Sequence, residues 1–108
     1  MSVPLGGADS PIRQIIDGSQ TIAAAGTAEK VVQDAAHVGP CTYVEVQALE
    51  TNTKQIGVGG SGIDETVASA NGVVLQPGES RVWYVVHTDL LFADPQVNGE
   101  GVRYSIGR

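Results

Sequence analysis

A chain of 108 residues accommodates one compact domain and no second core, which excludes a large active-site cleft between lobes. Twelve Asp and Glu against six Lys and Arg give a net charge of -6, and with the cations scattered along the chain, nucleic acid and anionic membranes are poor partners. Only 17% of residues are charged and 14 are glycine, so the surface is neutral and polar or is partly covered by other protein.

Residues 1–11 contain Pro4, Gly6, Gly7 and Pro11 among small and polar neighbours, the composition of an extended N-terminal arm. They lack the basic and apolar regions of a signal peptide, and no apolar stretch approaches the roughly 20 residues of a membrane span. A soluble protein made in the cytoplasm is expected. The apolar arm residues Val3, Pro4 and Leu5 are candidate partner contacts, with terminal disorder as the competing reading. Residues 12–108 form the single folded domain.

Val, Ile and Thr fill 29 of the 108 positions, and these stiff, branched side chains suit pleated sheets. In chain order the candidate strands begin with Ile12 to Ile16 and Ser19 to Ala24. Between them, Asp17-Gly18 is a dipeptide suited to a tight hairpin turn. Glu29 to Val32 follows, within a stretch, Ala28 to Ala36, that offers a short, weakly amphipathic helix as the alternative. Thr42 to Ala48 alternates cleanly, with Thr42, Val44, Val46 and Ala48 on one face and Tyr43, Glu45 and Gln47 on the wetter one. Gln55 to Val58 precedes a glycine-rich run, and Asp64 to Ala70 is the other place where a short helix could form.

Asn71-Gly72 marks a second hairpin turn, ahead of a strand near Val73-Val74. Gln76-Pro77-Gly78-Glu79 has the chemistry of a type II turn, with Pro where φ is preset and Gly where φ must be positive. Ser80 to His87 is apolar on both faces and is expected to be a central strand crossing the core. Leu90 to Ala93 is next, Asp94-Pro95 reads as turn initiation, and Asn98-Gly99 as a third hairpin turn. In the last strand Val102, Tyr104 and Ile106 face one way and Arg103, Ser105 and Gly107 the other. The whole predicts an all-β fold, an antiparallel β-sandwich or jelly-roll-like barrel of about eight short strands.

Trp83 and Tyr84 are adjacent and therefore point to opposite faces of their strand. With Tyr84 inward beside Val82 and Val86, Trp83 falls on the other face with Val85. That face needs a partner or another chain to cover it. Trp83 is thus a candidate partner contact, with a place in the domain's own core as the alternative.

Chemical motifs are sparse. Gly57-Val58-Gly59-Gly60-Ser61-Gly62 matches a dinucleotide fingerprint, but the following segment is too short for the crossover helix such a site needs. It is expected instead to be a strand end where backbone passes close to a neighbour. His37, Cys41 and His87 are the only soft or nitrogen ligands, and the lone cysteine excludes an internal disulfide and a paired-cysteine zinc site. Asp64-Glu65 and the pair Asp89 and Asp94 are carboxylates of the kind that acid-base chemistry uses, and twelve acids on a small chain produce such neighbours by chance. No catalytic, cofactor or metal constellation stands out, and the expectation is a non-enzymatic protein without a small-molecule substrate.

The stretches Val44 to Gly60 (VEVQALETNTKQIGVGG) and Gly72 to Ser80 (GVVLQPGES) resemble small virion proteins of tailed bacteriophages. These show a strand, a Thr-Asn-Thr turn, a strand ending in Val-Gly, and a Leu-x-Pro-Gly-Glu-Ser turn. The resemblance covers about residues 40 to 86, and its physical content is an antiparallel hairpin followed by a type II turn. It implies a capsid decoration, or cement, protein on the exterior of the virion. Homotrimers would sit where capsomers meet and bridge neighbouring copies of the major capsid protein. An acidic domain without catalytic residues is compatible with that role. Two other classes stay open. A tail, baseplate or fibre module would show an exposed aromatic and polar patch that binds host-surface glycan or protein, whereas an enzyme would need Cys41, a histidine and a carboxylate within hydrogen-bond reach.

Overall fold

The computed structural model describes residues 12–63 and 72–108. The expected arm with Val3, Pro4 and Leu5, the short helix considered for Asp64 to Ala70, the Asp64-Glu65 pair and Asn71 all lie outside the described residues. Among the described residues there are eight strands, β1 (Ile15–Thr21), β2 (Glu29–Lys30), β3 (Tyr43–Ala48), β4 (Ile56–Gly59), β5 (Val73–Leu75), β6 (Ser80–Trp83), β7 (Phe92–Pro95) and β8 (Gly101–Gly107), with one 3-10 turn at Thr88–Leu90.

The strands form two four-stranded sheets, ordered β1-β8-β3-β6 and β2-β7-β4-β5, and every pairing is antiparallel. First pairs with last, second with seventh, third with sixth and fourth with fifth. That order is the two-sheet jelly roll, so the all-β sandwich expected from the sequence is what forms, as two sheets rather than a closed barrel.

The inner faces carry the core. Val44, Val46, Ala48, Val102 and Ile106 of the first sheet and Ile56, Val58 and Ala93 of the second are fully buried, joined by Ile22, Val31 and Val32 from connecting segments. Each buried Val or Ile contributes about 1.5–3 kcal/mol on leaving water. Val31 and Val32 sit in the core just after the two-residue β2, and the Val31 amide donates to the Leu91 carbonyl. Residues 29–31 are thus extended and paired, and the segment then enters a turn in which the His37 and Val38 amides donate to the Asp34 carbonyl, so no helix forms over 28–36.

Asp17-Gly18 is not a turn. It lies in the middle of β1, which merges the two strands expected on either side of it, and Gly18 stands opposite Tyr104. Glycine is required there for space: a Cβ on Gly18 would lie 2.5 Å from the Tyr104 hydroxyl. Asn98-Gly99 does make a turn, with Gly99 at φ 82 and the Glu100 amide donating to the Val97 carbonyl. It joins β7 in one sheet to β8 in the other, so it is a corner and not a hairpin. The Pro77-Gly78 turn is as expected, with Gly78 at φ 85 and the Glu79 amide donating to Gln76. It too passes from one sheet to the other.

The hairpin implied for the Thr51-Asn52-Thr53 region is also a corner, because β3 and β4 belong to different sheets. Its cause is a latch. Buried Asn52 donates through Nδ2 to the Gly101 carbonyl at 2.9 Å and accepts the Gly101 amide at 3.1 Å, so an amide side chain extends the sheet ladder where the backbone turns away. Asp94-Pro95 belongs to β7 and is buried; Asp94 accepts the Gly26 amide at 3.0 Å. Finally, β6 is an edge strand and not a central one. Its neighbour β3 already pairs with β8 on its other side, which leaves β6 bonded along one flank only.

Candidate functional site

The register of β6 on β3 decides which of its apolar residues meet solvent. Val44 faces the core, and its direct partner Trp83 faces inward with it; Glu45 faces out, and so does its partner Val82. Trp83 and Val85 are partly buried against the core. Val82, Tyr84 and Val86 are 38%, 82% and 76% exposed. This reverses the expected orientation: Tyr84 is outside, and Trp83 packs on its own domain. Three apolar side chains at every second position thus line the open edge of the first sheet.

Beyond Ile15 and Tyr43 at one end, the remainder of that outer face is polar. β1, β8 and β3 align Asp17 with Ser105 and Glu45, and Ser19 with Arg103 and Gln47. Asp17, Glu45, Gln47, Ser80, Arg103 and Ser105 line a groove of about 440 Å³. A second depression of about 260 Å³ adjoins it between Tyr43, Glu45, Val82 and Tyr84. Glu45 borders both. Two groove side chains are held in place: Ser105 donates its hydroxyl to Asp17 at 2.7 Å, and Gln47 donates its amide to the Gly78 carbonyl at 2.9 Å.

Alternation placed Glu45, Gln47, Arg103 and Ser105 on the wetter faces of their strands. That these become one continuous surface depends on the pairing of β3 with β8, a contact between distant parts of the chain that no local pattern encodes. Asp17 was hidden by its glycine neighbour, which has the chemistry of a turn.

The soft and nitrogen ligands have separate bonding partners. Cys41 donates its thiol to the Val85 carbonyl at 3.1 Å; burial pushes its pKa up, partly opposed by the nearby Arg108 charge, so the thiol stays protonated at neutral pH. The His37 ring bonds the Tyr104 hydroxyl through Nδ1 at 2.7 Å, edge-on to its ring. Burial, with a lesser contribution from the Asp34 charge, raises the Tyr104 pKa. His87 accepts the Asp89 amide at 3.1 Å and caps the 3-10 turn. Among the described residues no three His, Cys, Asp or Glu side chains come together as a metal site. Asp89 pairs with Lys30 at 3.4 Å on the surface, while Asp94 is bonded inside.

The glycine run occupies β4 and the turn after it, where the Ile63 amide donates to Gly60. β4 runs antiparallel to both of its neighbours, whereas a dinucleotide site sits on a parallel crossover. A Cβ on Gly59 would lie 3.7 Å from the Gly72 Cα, an ordinary packing distance, and one on Gly60 or Gly62 would meet open space, so the close backbone approach expected there is not seen at these glycines.

The fold and this face define an eight-stranded jelly-roll domain with an apolar open edge and a preformed polar groove on one sheet. No family model, curated protein or solved structure matches the chain.

Proposed function

We propose that this domain is a structural virion protein that binds the outside of a phage capsid and stabilises the shell by bridging neighbouring capsid subunits. The observation that carries the reading is the exposed row Val82, Tyr84 and Val86, which begins on the edge strand β6 with its one unpaired flank and continues past the strand's end at Trp83. Natural proteins protect such edges with charge, proline or a covering segment. An uncovered apolar edge suits a protein partner, which can add main-chain hydrogen bonds and bury the side chains together. The resemblance of residues 44–60 and 72–80 to small phage virion proteins supplies the setting, and the net charge of -6 disfavours a role inside the shell against DNA. Assembly as homotrimers over capsomer junctions belongs to the same reading, and multivalency over a lattice lets a small contact per copy suffice.

The test is co-sedimentation of the purified chain with expanded capsids and, separately, with unexpanded precursor shells, counting copies per shell. Saturable binding to expanded shells at lattice stoichiometry supports decoration. Binding to neither form favours the tail, baseplate or fibre module.

A further inference from the structure

The polar groove on the outer face of the first sheet adjoins the edge row just described and shares with it the depression that Val82 and Tyr84 line. Arg103 and Glu45 are diagonal neighbours on paired strands, since Arg103 faces Gln47 and Ser105 faces Glu45. Long side chains in that relation are within reach of each other. Yet the salt bridges among the described residues, Lys30–Asp89, His37–Asp34 and His87–Asp89, include neither of them, and neither enters a side-chain hydrogen bond. A guanidinium with five donors and a carboxylate with two acceptor oxygens are therefore both free at the groove. Beside them, Asp17 is fixed by Ser105 and keeps its second oxygen, and Gln47 is fixed by Gly78 and keeps its carbonyl oxygen. Tyr43 and Tyr84 border the adjoining depression.

We infer that this groove is a binding site for a neutral saccharide. The ligand has to offer donors to Asp17, Glu45 and Gln47 and acceptors to Arg103 within a few ångströms, and vicinal hydroxyl groups do both at that spacing. A polyanion is disfavoured because two carboxylates face one cation. A peptide strand is disfavoured because the backbone of a sheet face is already committed to its ladders, leaving no main-chain partners of the kind an edge offers. The tyrosines add apolar ring surface on which the C–H face of a pyranose can stack. The volume of about 440 Å³ falls in the range of small-molecule sites, roughly 300–1,000 Å³, enough for a short oligosaccharide.

The experiment screens the full chain on an array of neutral and acidic glycans, then titrates the glycans retained against wild type, Arg103→Ala and Glu45→Ala. Both residues are exposed, so unchanged melting temperatures are expected and are checked first. The expected result is retention of neutral glycans with each substitution weakening binding about tenfold or more, the worth of a hydrogen bond to a charged group. An empty array, retention of acidic glycans alone, or affinity indifferent to both substitutions overturns the site. Shell binding is measured in parallel. Should these two substitutions abolish shell binding and leave no glycan affinity, the groove is a protein contact and the saccharide site is wrong, whereas loss confined to glycans leaves the capsid reading untouched.

Discussion

Strand β8 and the segment that starts with β6 both carry apolar residues at every second position, both belong to the first sheet, and they end in opposite states. β8 lies between β1 and β3 and buries Val102, Tyr104 and Ile106, whereas β6 is bonded only to β3, and Val82 on it and Tyr84 and Val86 just past its end stand in water. Composition does not separate them, since the 82–86 segment is the more apolar of the two. What separates them is the number of neighbours: a strand paired on both sides has its inner face sealed by the opposing sheet and its ends latched, while an edge strand offers its outer face and one flank to whatever arrives. Core and exposed surface are thus made from the same kind of sequence by their place in the sheet.

That contrast breaks first at the core. Ile106→Ala in β8 is expected to lower unfolding stability by about 3 kcal/mol, through lost burial and the cavity left behind. Val86→Ala beside β6 should stay within about 0.5 kcal/mol, as exposed positions do. Chemical denaturation of the pair measures both, and equal losses would refute the distinction.

The ends of β8 sharpen it. Asn52→Ala removes the side chain that pairs with Gly101 and strands a buried amide, for an expected loss of about 2 kcal/mol; Asn52→Asp should not recover it, because its second oxygen replaces the donor that faces the Gly101 carbonyl. Gly18→Ala pushes a methyl into the Tyr104 phenol, which His37 holds by a hydrogen bond, and is expected to cost about 1–2 kcal/mol. The quantity to follow in both is the denaturation midpoint at constant slope.

Glu100, just before β8, gives a smaller and pH-dependent effect. Slight burial acts to raise its pKa, but hydrogen bonds from the Thr53 amide at 2.6 Å, the Thr53 hydroxyl at 2.8 Å and the Lys54 amide outweigh it and hold the carboxyl below its ordinary value. A lowered folded pKa stabilises the protein above the unfolded value and loses that contribution as pH falls through the folded one. Glu100→Gln should therefore cost roughly 0.5–1 kcal/mol at pH 7, discounted for exposure, and the gap from wild type should close below about pH 4. A difference that does not shrink as pH falls would show that the carboxylate charge is not the cause.

The fold was largely legible because period-two alternation is local: Val44, Val46 and Ala48, and Val102, Tyr104 and Ile106, are separable from their wet neighbours without knowing what they touch. The Pro77-Gly78 turn was legible for the same reason. The errors share one origin. Asp17-Gly18 has turn chemistry, yet a tyrosine 86 positions later needs the space of the missing Cβ. The aspartate of Asp94-Pro95 bonds the Gly26 amide, and the orientation of Trp83 and Tyr84 follows from the partner of Val44. Each was decided across the sheet and not along the chain. The groove was half visible, its side chains correctly placed on wet faces but not assembled until β3 met β8.

The most direct test of the docking edge compares wild type with Tyr84→Ser in co-sedimentation with expanded capsids. Tyr84 is 82% exposed, so the variant should melt within a degree or two of wild type. The prediction is saturable binding by wild type and at least tenfold weaker occupancy by Tyr84→Ser, in keeping with aromatic residues that anchor interfaces. Equal occupancy of the two proteins would show that the open edge of the first sheet is not where the shell is bound.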